Sequence, residues 1–111
     1  MKRCKGEDVH WVEDKKMFGK PLYAVKKGYW TQPVIQTTSK KKAEKFRDDE
    51  NARFYLVSRI DDRKFLIDTT KRVGLDKDEL KGFSNASLIG EITNSDKFKN
   101  IRTELAKKIC T

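Results

Sequence analysis

The sequence predicts an α+β fold in one small domain, an antiparallel sheet with a central helix and a C-terminal helix packed on one face. Short runs in the first third alternate apolar and polar side chains, the period of a half-buried strand. By contrast, Phe98, Ile101, Leu105 and Ile109 recur at the spacing of one helical stripe. A chain of 111 residues suits a single core, and no internal repeat divides it.

Taken in order, residues 9–14 and 21–27 read as the strands of a hairpin, joined by a loop over 15–20 in which Gly19 supplies the special dihedral. Alternation places Tyr23 and Val25 on one face, with Leu22, Ala24 and Lys26 on the other. Gly28 breaks the run, residues 29–32 form a turn, and 33–37 is a third strand opening on Pro33, where a missing donor is tolerated. Thr38-Ser39 offers a hydroxyl cap to a helix over 40–49. Ala43 and Phe46 face inward on that helix, whereas Lys40, Lys41, Lys42, Lys45 and Arg47 face water or a partner. Three lysines at a helix start oppose the macrodipole, a local conflict that points toward a functional surface.

Residues 53–60 alternate Phe54, Leu56, Ser58 and Ile60 against Arg53, Tyr55, Val57 and Arg59 and read as a strand. The polar turn 61–64 then returns the chain as a partner strand over 65–67, the two forming the centre of the sheet. A helical turn near 76–81 ends at Gly82, 87–92 reads as a last strand, and Asn94 or Ser95 caps the final helix.

The charge balance bounds the function. Lysine and arginine total 26 against 17 acidic residues, a net charge of +9, which attracts polyanions. Six of those nine charges fall in residues 20–59, where ten basic residues meet four acidic ones. The opening Met1-Lys2-Arg3-Cys4 leads into charged residues rather than an apolar stretch, so a cytoplasmic location and no membrane partner are expected. Cys4 and Cys110 then default to free thiols, because a bridge requires the chain ends to meet. With no close cysteine pair and His10 as the single histidine, zinc is not expected.

No nucleophile elbow, phosphate-binding Gly-rich loop or dinucleotide fingerprint is present. The expectation is a non-catalytic module without cofactor, metal or small-molecule substrate. His10, beside Trp11 on a possible strand, reads as a structural or surface histidine rather than a general base. Asp61, Asp62 and Asp68 are the only candidates for a divalent-ion cluster, and the first two look like a turn pair.

The constellation that carries function combines cations with aromatic rings: Lys26, Lys27, Tyr29, Trp30, Lys40, Lys41, Lys42, Arg53 and Arg59. Lysines and arginines neutralise phosphates, and exposed rings stack on bases. Tyr23 and Tyr55 belong either to this set or to cross-strand packing.

Tyr23-Ala24-Val25-Lys26-Lys27-Gly28, then Pro33, Ile35 and Thr38, then Ala52-Arg53-Phe54 after the helix, resemble the hybrid-binding domain at the N-terminus of type 1 ribonucleases H and in caulimovirus viroplasmin. The resemblance covers roughly a third of the chain. It implies a short antiparallel sheet with a helix against it that binds RNA–DNA hybrids or double-stranded RNA without catalysis. This sequence departs from the family in carrying Ser39 where a tryptophan is usual, Asp48-Asp49-Glu50-Asn51 in place of a glycine-containing turn, and a two-residue insertion around residues 29–32.

A second expectation has a different class of partner. Small size, absence of an active site and high lysine content also fit an inhibitor of the kind phages and mobile elements encode, docked on an acidic surface of a host nucleic-acid-processing protein. A structural subunit of a nucleoprotein is a third.

Overall fold

A computed structural model describes residues 9–29, 31–76 and 78–109. Trp30, Cys4 and Cys110 lie outside the described residues, and so does the expectation that the two thiols are free. The architecture is α+β, as expected. Three antiparallel strands, β1 (His10–Met17), β2 (Lys20–Lys27) and β3 (Ile35–Thr37), are followed by α1 (Lys40–Ser58), α2 (Arg63–Arg72), α3 (Asn85–Asn94), a 3-10 helix (Asp96–Asn100) and α4 (Arg102–Lys108).

The strand order is β1-β2-β3, and the β1–β2 register runs from His10 opposite Lys27 to Met17 opposite Lys20. The predicted loop therefore shrinks to Phe18-Gly19. Both residues have positive φ, 52° and 78°, the signature of a type I′ turn, whose twist matches that of the strands it joins. Register also confirms the expected faces: Tyr23 and Val25 look one way with His10, Val12 and Ile35, and Ala24 and Lys26 look the other way with Trp11 and Glu13. The short β3 pairs only with residues 23–25 of β2.

α1 connects the two halves of the molecule. Ser39 accepts a hydrogen bond from the Lys42 N–H at 3.3 Å, so the predicted cap is present, but the helix continues for 19 residues instead of ending near Asp49. Its N-terminal half lies against the sheet through buried Ala43 and Asn51. Its C-terminal half enters the main core with Ala52 and Leu56, joined there by Leu66, Val73, Leu88, Ile92, Phe98, Ile101 and Leu105 from the remaining helices. The result is an elongated molecule of 53 × 25 × 20 Å, sheet at one end and helical bundle at the other.

Three expected strands are helical. Residues 53–60 complete α1 and its C-cap, 65–67 belong to α2, and 87–92 belong to α3. No glycine or proline interrupts the chain from Lys40 through Val73, so neither breaker ends α1 near Asp49. Ala52, Tyr55 and Leu56 then supply an i, i+3, i+4 face to the core, which a period-two reading of 53–60 overlooks. In α3 the spacing of Leu88, Ile89 and Ile92 does the same, after Ser84 caps the helix by accepting from the Ser87 N–H at 3.2 Å. Ala52-Arg53-Phe54 accordingly lies inside α1 rather than after it.

The two-strand centre predicted for 53–67 is replaced by a helix–helix corner. Asp62 breaks the run by capping α2, accepting from the Phe65 N–H at 3.0 Å. α2 ends in a Schellman motif, with the Gly74 N–H bonded to the Lys71 carbonyl and the Leu75 N–H to the Thr70 carbonyl, both at 3.0 Å. Gly74 takes φ 75° there. Where a helical turn is predicted near 76–81, residues 78–82 form a run of turns with buried Leu80, and Lys77 lies outside the described residues. The closing stripe is present in part: Ser95 is the cap and Phe98, Ile101 and Leu105 are buried, but the expected single helix is split into the 3-10 helix and α4, and Ile109 is half-buried at the α4 C-cap. α4 packs chiefly on α1 rather than on the sheet, which corrects the expectation of two helices side by side on one face.

Candidate nucleic-acid interface

The eight described residues of the nine singled out for binding occupy three separate places, and Trp30 lies outside the described residues. Lys26 lies on the sheet face shared with Trp11, Glu13 and Ala24, its ammonium 2.7 Å from the Glu13 carboxylate and 5.7 Å from the centre of the Trp11 ring, with its side chain only 15% exposed. Its hydrogen bond, more than any other contact, holds the Glu13 carboxyl below the usual carboxylate range. Lys26 is thus committed within the sheet. Lys27 is half-buried at the end of β2 opposite His10. Tyr29, 67% exposed, follows in the β2–β3 connection.

Arg53 and Arg59 are elsewhere. Arg53 is exposed on α1, about 20 Å along the helix from Lys40 at 1.5 Å per residue. Arg59 is the α1 C-cap. Its guanidinium lies 2.6 Å from the Asp62 carboxylate and above the rings of Phe65 and Tyr55, at 4.6 and 5.8 Å from their centres. The Phe65 N–H and the Arg59 guanidinium together hold the Asp62 carboxyl below its ordinary range. These contacts fasten α1 to α2, and Tyr55 and Phe65 meet edge to face at 5.8 Å. Tyr55 is therefore a packing residue. The other carboxylates considered for metal, Asp61 and Asp68, are exposed, and among the described residues no group of three or more candidate ligands is placed to hold an ion.

His10 has a structural role. The Gly28 N–H donates to the Val9 carbonyl at 2.8 Å, so the polar groups of the next residue, His10, point away from β2 along the sheet edge. Asn51 of α1 meets both: its Oδ1 accepts from the His10 N–H at 2.7 Å and its Nδ2 donates to the His10 carbonyl at 3.0 Å. The carboxamide completes the edge strand as a neighbouring peptide group would.

That joint fixes the direction of α1. The helix begins just after Thr37, whose partner across the sheet is Tyr23, and reaches β1 at His10 only with Asn51, about 17 Å further along its axis. Lys40, Lys41 and Lys42 therefore lie toward the hairpin-turn end of the sheet. The same end carries Lys15, Lys16 and Lys20 on the strands flanking the turn. All of these are exposed except Lys15, which is half-buried and 3.7 Å from the Glu13 carboxylate. Among the described residues, Lys16, Lys20, Lys40, Lys41 and Lys42 make no ion pair, and the first turn of α1 contains no acidic residue. The cationic end is thus built from one predicted segment, 40–42, and one that sequence reasoning treated only as a loop, 15–20. The signal for the second was available in Lys15-Lys16-Met17-Phe18-Gly19-Lys20, three lysines around an aromatic residue at a turn.

Among the described residues no helix is long and apolar enough to cross a membrane. Compared with protein-family models, with curated proteins and with solved structures, the chain matches none.

Proposed function

We propose that the protein is a non-catalytic, cytoplasmic binding module that holds nucleic acid by its phosphate backbone, through the lysines of the hairpin and of the α1 N-terminus. The observation that carries this reading is the convergence of Lys16, Lys20, Lys40, Lys41 and Lys42 at one end of the molecule, with no ion-pair partner among the described residues. Three lysines beside the positive end of a helix dipole raise the energy of the free protein. A polyanion removes that repulsion on binding, and the counterions it releases favour the complex. The resemblance of the 23–54 segment to hybrid-binding domains directs the choice of ligand toward RNA–DNA hybrid or double-stranded RNA, both read through the shape of their backbones.

The test replaces Lys40, Lys41 and Lys42 together with glutamine and measures binding to DNA duplex, RNA duplex, RNA–DNA hybrid and single strands at several salt concentrations. Affinity falls for every sequence alike. On DNA duplex the slope of log K against log salt becomes shallower by about 2.7, since about three fewer phosphates are neutralised. Because the change also removes repulsion at the helix start, the variant melts no lower than the parent. An unchanged slope, or a parent that binds none of the four ligands at low salt, overturns the reading. The second result turns attention to an acidic protein surface as the partner.

A further inference from the structure

The tip of the hairpin combines features that folding alone does not reward. Phe18 is 98% exposed and is the one non-glycine residue with positive φ among the described residues. Its place in the type I′ turn favours asparagine, aspartate or glycine, which tolerate that conformation and lose nothing in water. An aromatic ring there carries both the backbone strain and the cost of an apolar surface left in solvent. At 98% exposure the ring has no packing among the described residues to offset either cost.

The tip also stands clear of the rest of the fold. β3 pairs with β2 only as far as Tyr23, so the pairs Lys15–Leu22, Lys16–Pro21 and Met17–Lys20 form a two-stranded arm with no third strand beside them among the described residues. At about 3.3 Å per residue, the arm from Tyr23 to the turn extends about 13 Å past the end of β3. Strand parity puts Lys15 and Lys20 on one face of the arm and Lys16 on the other. A ring at the apex, with ammonium groups on both sides behind it, matches a ligand that offers a flat π-face between two anionic flanks.

We propose that Phe18 is a base-stacking wedge: on binding, its ring inserts against a nucleobase while Lys15, Lys16 and Lys20 engage the flanking phosphates. The inference rests on the nucleic-acid reading above and adds to it the contact that acts on the bases. Stacking on an aromatic side chain tolerates any sequence, because every base has a π-face, and apolar side chains entering a base step also kink a duplex.

The experiment compares Phe18→Asn and Phe18→Trp with the parent, by thermal melting and by titration of mixed-sequence single strand, DNA duplex, RNA duplex and RNA–DNA hybrid. Phe18→Asn melts at or above the parent, since asparagine suits positive φ, yet binds its best ligand about 5- to 150-fold more weakly. Its salt slope is unchanged, because every lysine still meets its phosphate. Phe18→Trp retains affinity, and its added indole emission is quenched on complex formation. Parental affinity in Phe18→Asn overturns the wedge. If the lysine triple variant has lost affinity in the same assay, the nucleic-acid reading survives that result. A parent that binds none of the ligands overturns both.

Discussion

Replacing Asn51 with alanine tests the joint on which the orientation of the sheet depends. The carboxamide is the partner of the outward-facing N–H and carbonyl of His10, at 2.7 and 3.0 Å, and both residues are buried, at 4% and 8% exposure. Alanine removes the carboxamide from both the donor and the acceptor. A buried polar group stripped of its hydrogen bond costs about 1–3 kcal/mol, so two cost about 2–4 kcal/mol after partial re-solvation at a sheet edge. For a chain of this size that lowers the melting temperature by about 8–16 °C, at about 4 °C per kcal/mol. The assay is thermal and urea unfolding of Asn51→Ala beside Arg53→Ala, an exposed neighbour on the same helix, which stays within about 0.5 kcal/mol of the parent. Amide hydrogen exchange locates the damage: the His10 N–H exchanges faster in Asn51→Ala, while amides of α3, in the other half, change only as far as global stability falls. An Asn51→Ala protein within about 0.5 kcal/mol of the parent, or one whose His10 amide remains as protected, refutes the account of the joint.

Two further outcomes follow from the same fold. Gly90 lies inside α3, and a Cβ added there meets nothing within 4 Å; Gly90→Ala therefore raises stability by about 0.4–1 kcal/mol, read from the urea midpoint, and a loss would mean that the helix needs the glycine. The carboxyls of Glu13, Asp62 and Glu104 are each held below their ordinary range, chiefly by Lys26, the Phe65 N–H and Arg72 respectively. A depressed folded-state pKa contributes stability above the unfolded value that disappears as pH falls through the folded one. The melting temperature accordingly drops below about pH 4, and Glu13→Gln with Glu104→Gln flattens part of that drop; an equally steep acid limb in the double variant would refute the assignment.

What the sequence disclosed follows from where local signals are unambiguous. The hairpin was legible because Gly19 and the alternation on both sides of it agree, and β3 because β-branched Val34, Ile35 and Thr37 follow one another closely, although the strand begins at Ile35 and not at Pro33. The caps at Ser39 and Ser95 and the stripe of Phe98, Ile101 and Leu105 were legible for the same reason. Residues 53–60 were not, because alternation and helical spacing are both satisfied by Phe54, Tyr55, Leu56 and Val57 taken alone. Context decides between them. Ala52 and Leu56 are buried with Tyr55 packed beside them, while Ser58, which alternation places on the same face as Leu56, is exposed, a division that the helical period produces and period two does not. The same competition hid α3, where β-branched Ile89 and Ile92 weigh toward strand and Ser84 toward helix.

The candidate site was harder to read for a geometric reason. Charge counted along the chain groups Lys26, Lys27, Arg53 and Arg59 with Lys40–42, but a 19-residue helix carries its two ends about 28 Å apart. Arg59 therefore goes to the bundle, where Asp62, Tyr55 and Phe65 use it to close the α1–α2 corner, and Lys26 is taken up by Glu13. Lys40, Lys41 and Lys42 at the start of the same helix, and Lys16 and Lys20 on the hairpin arm that the antiparallel register brings to the same end, have no such partner among the described residues. Folding consumes basic residues that lie near acidic or aromatic neighbours. The core from Ala52 to Leu105 holds the fold, and the sheet end, with few buried side chains of its own, carries a group of lysines that repel one another.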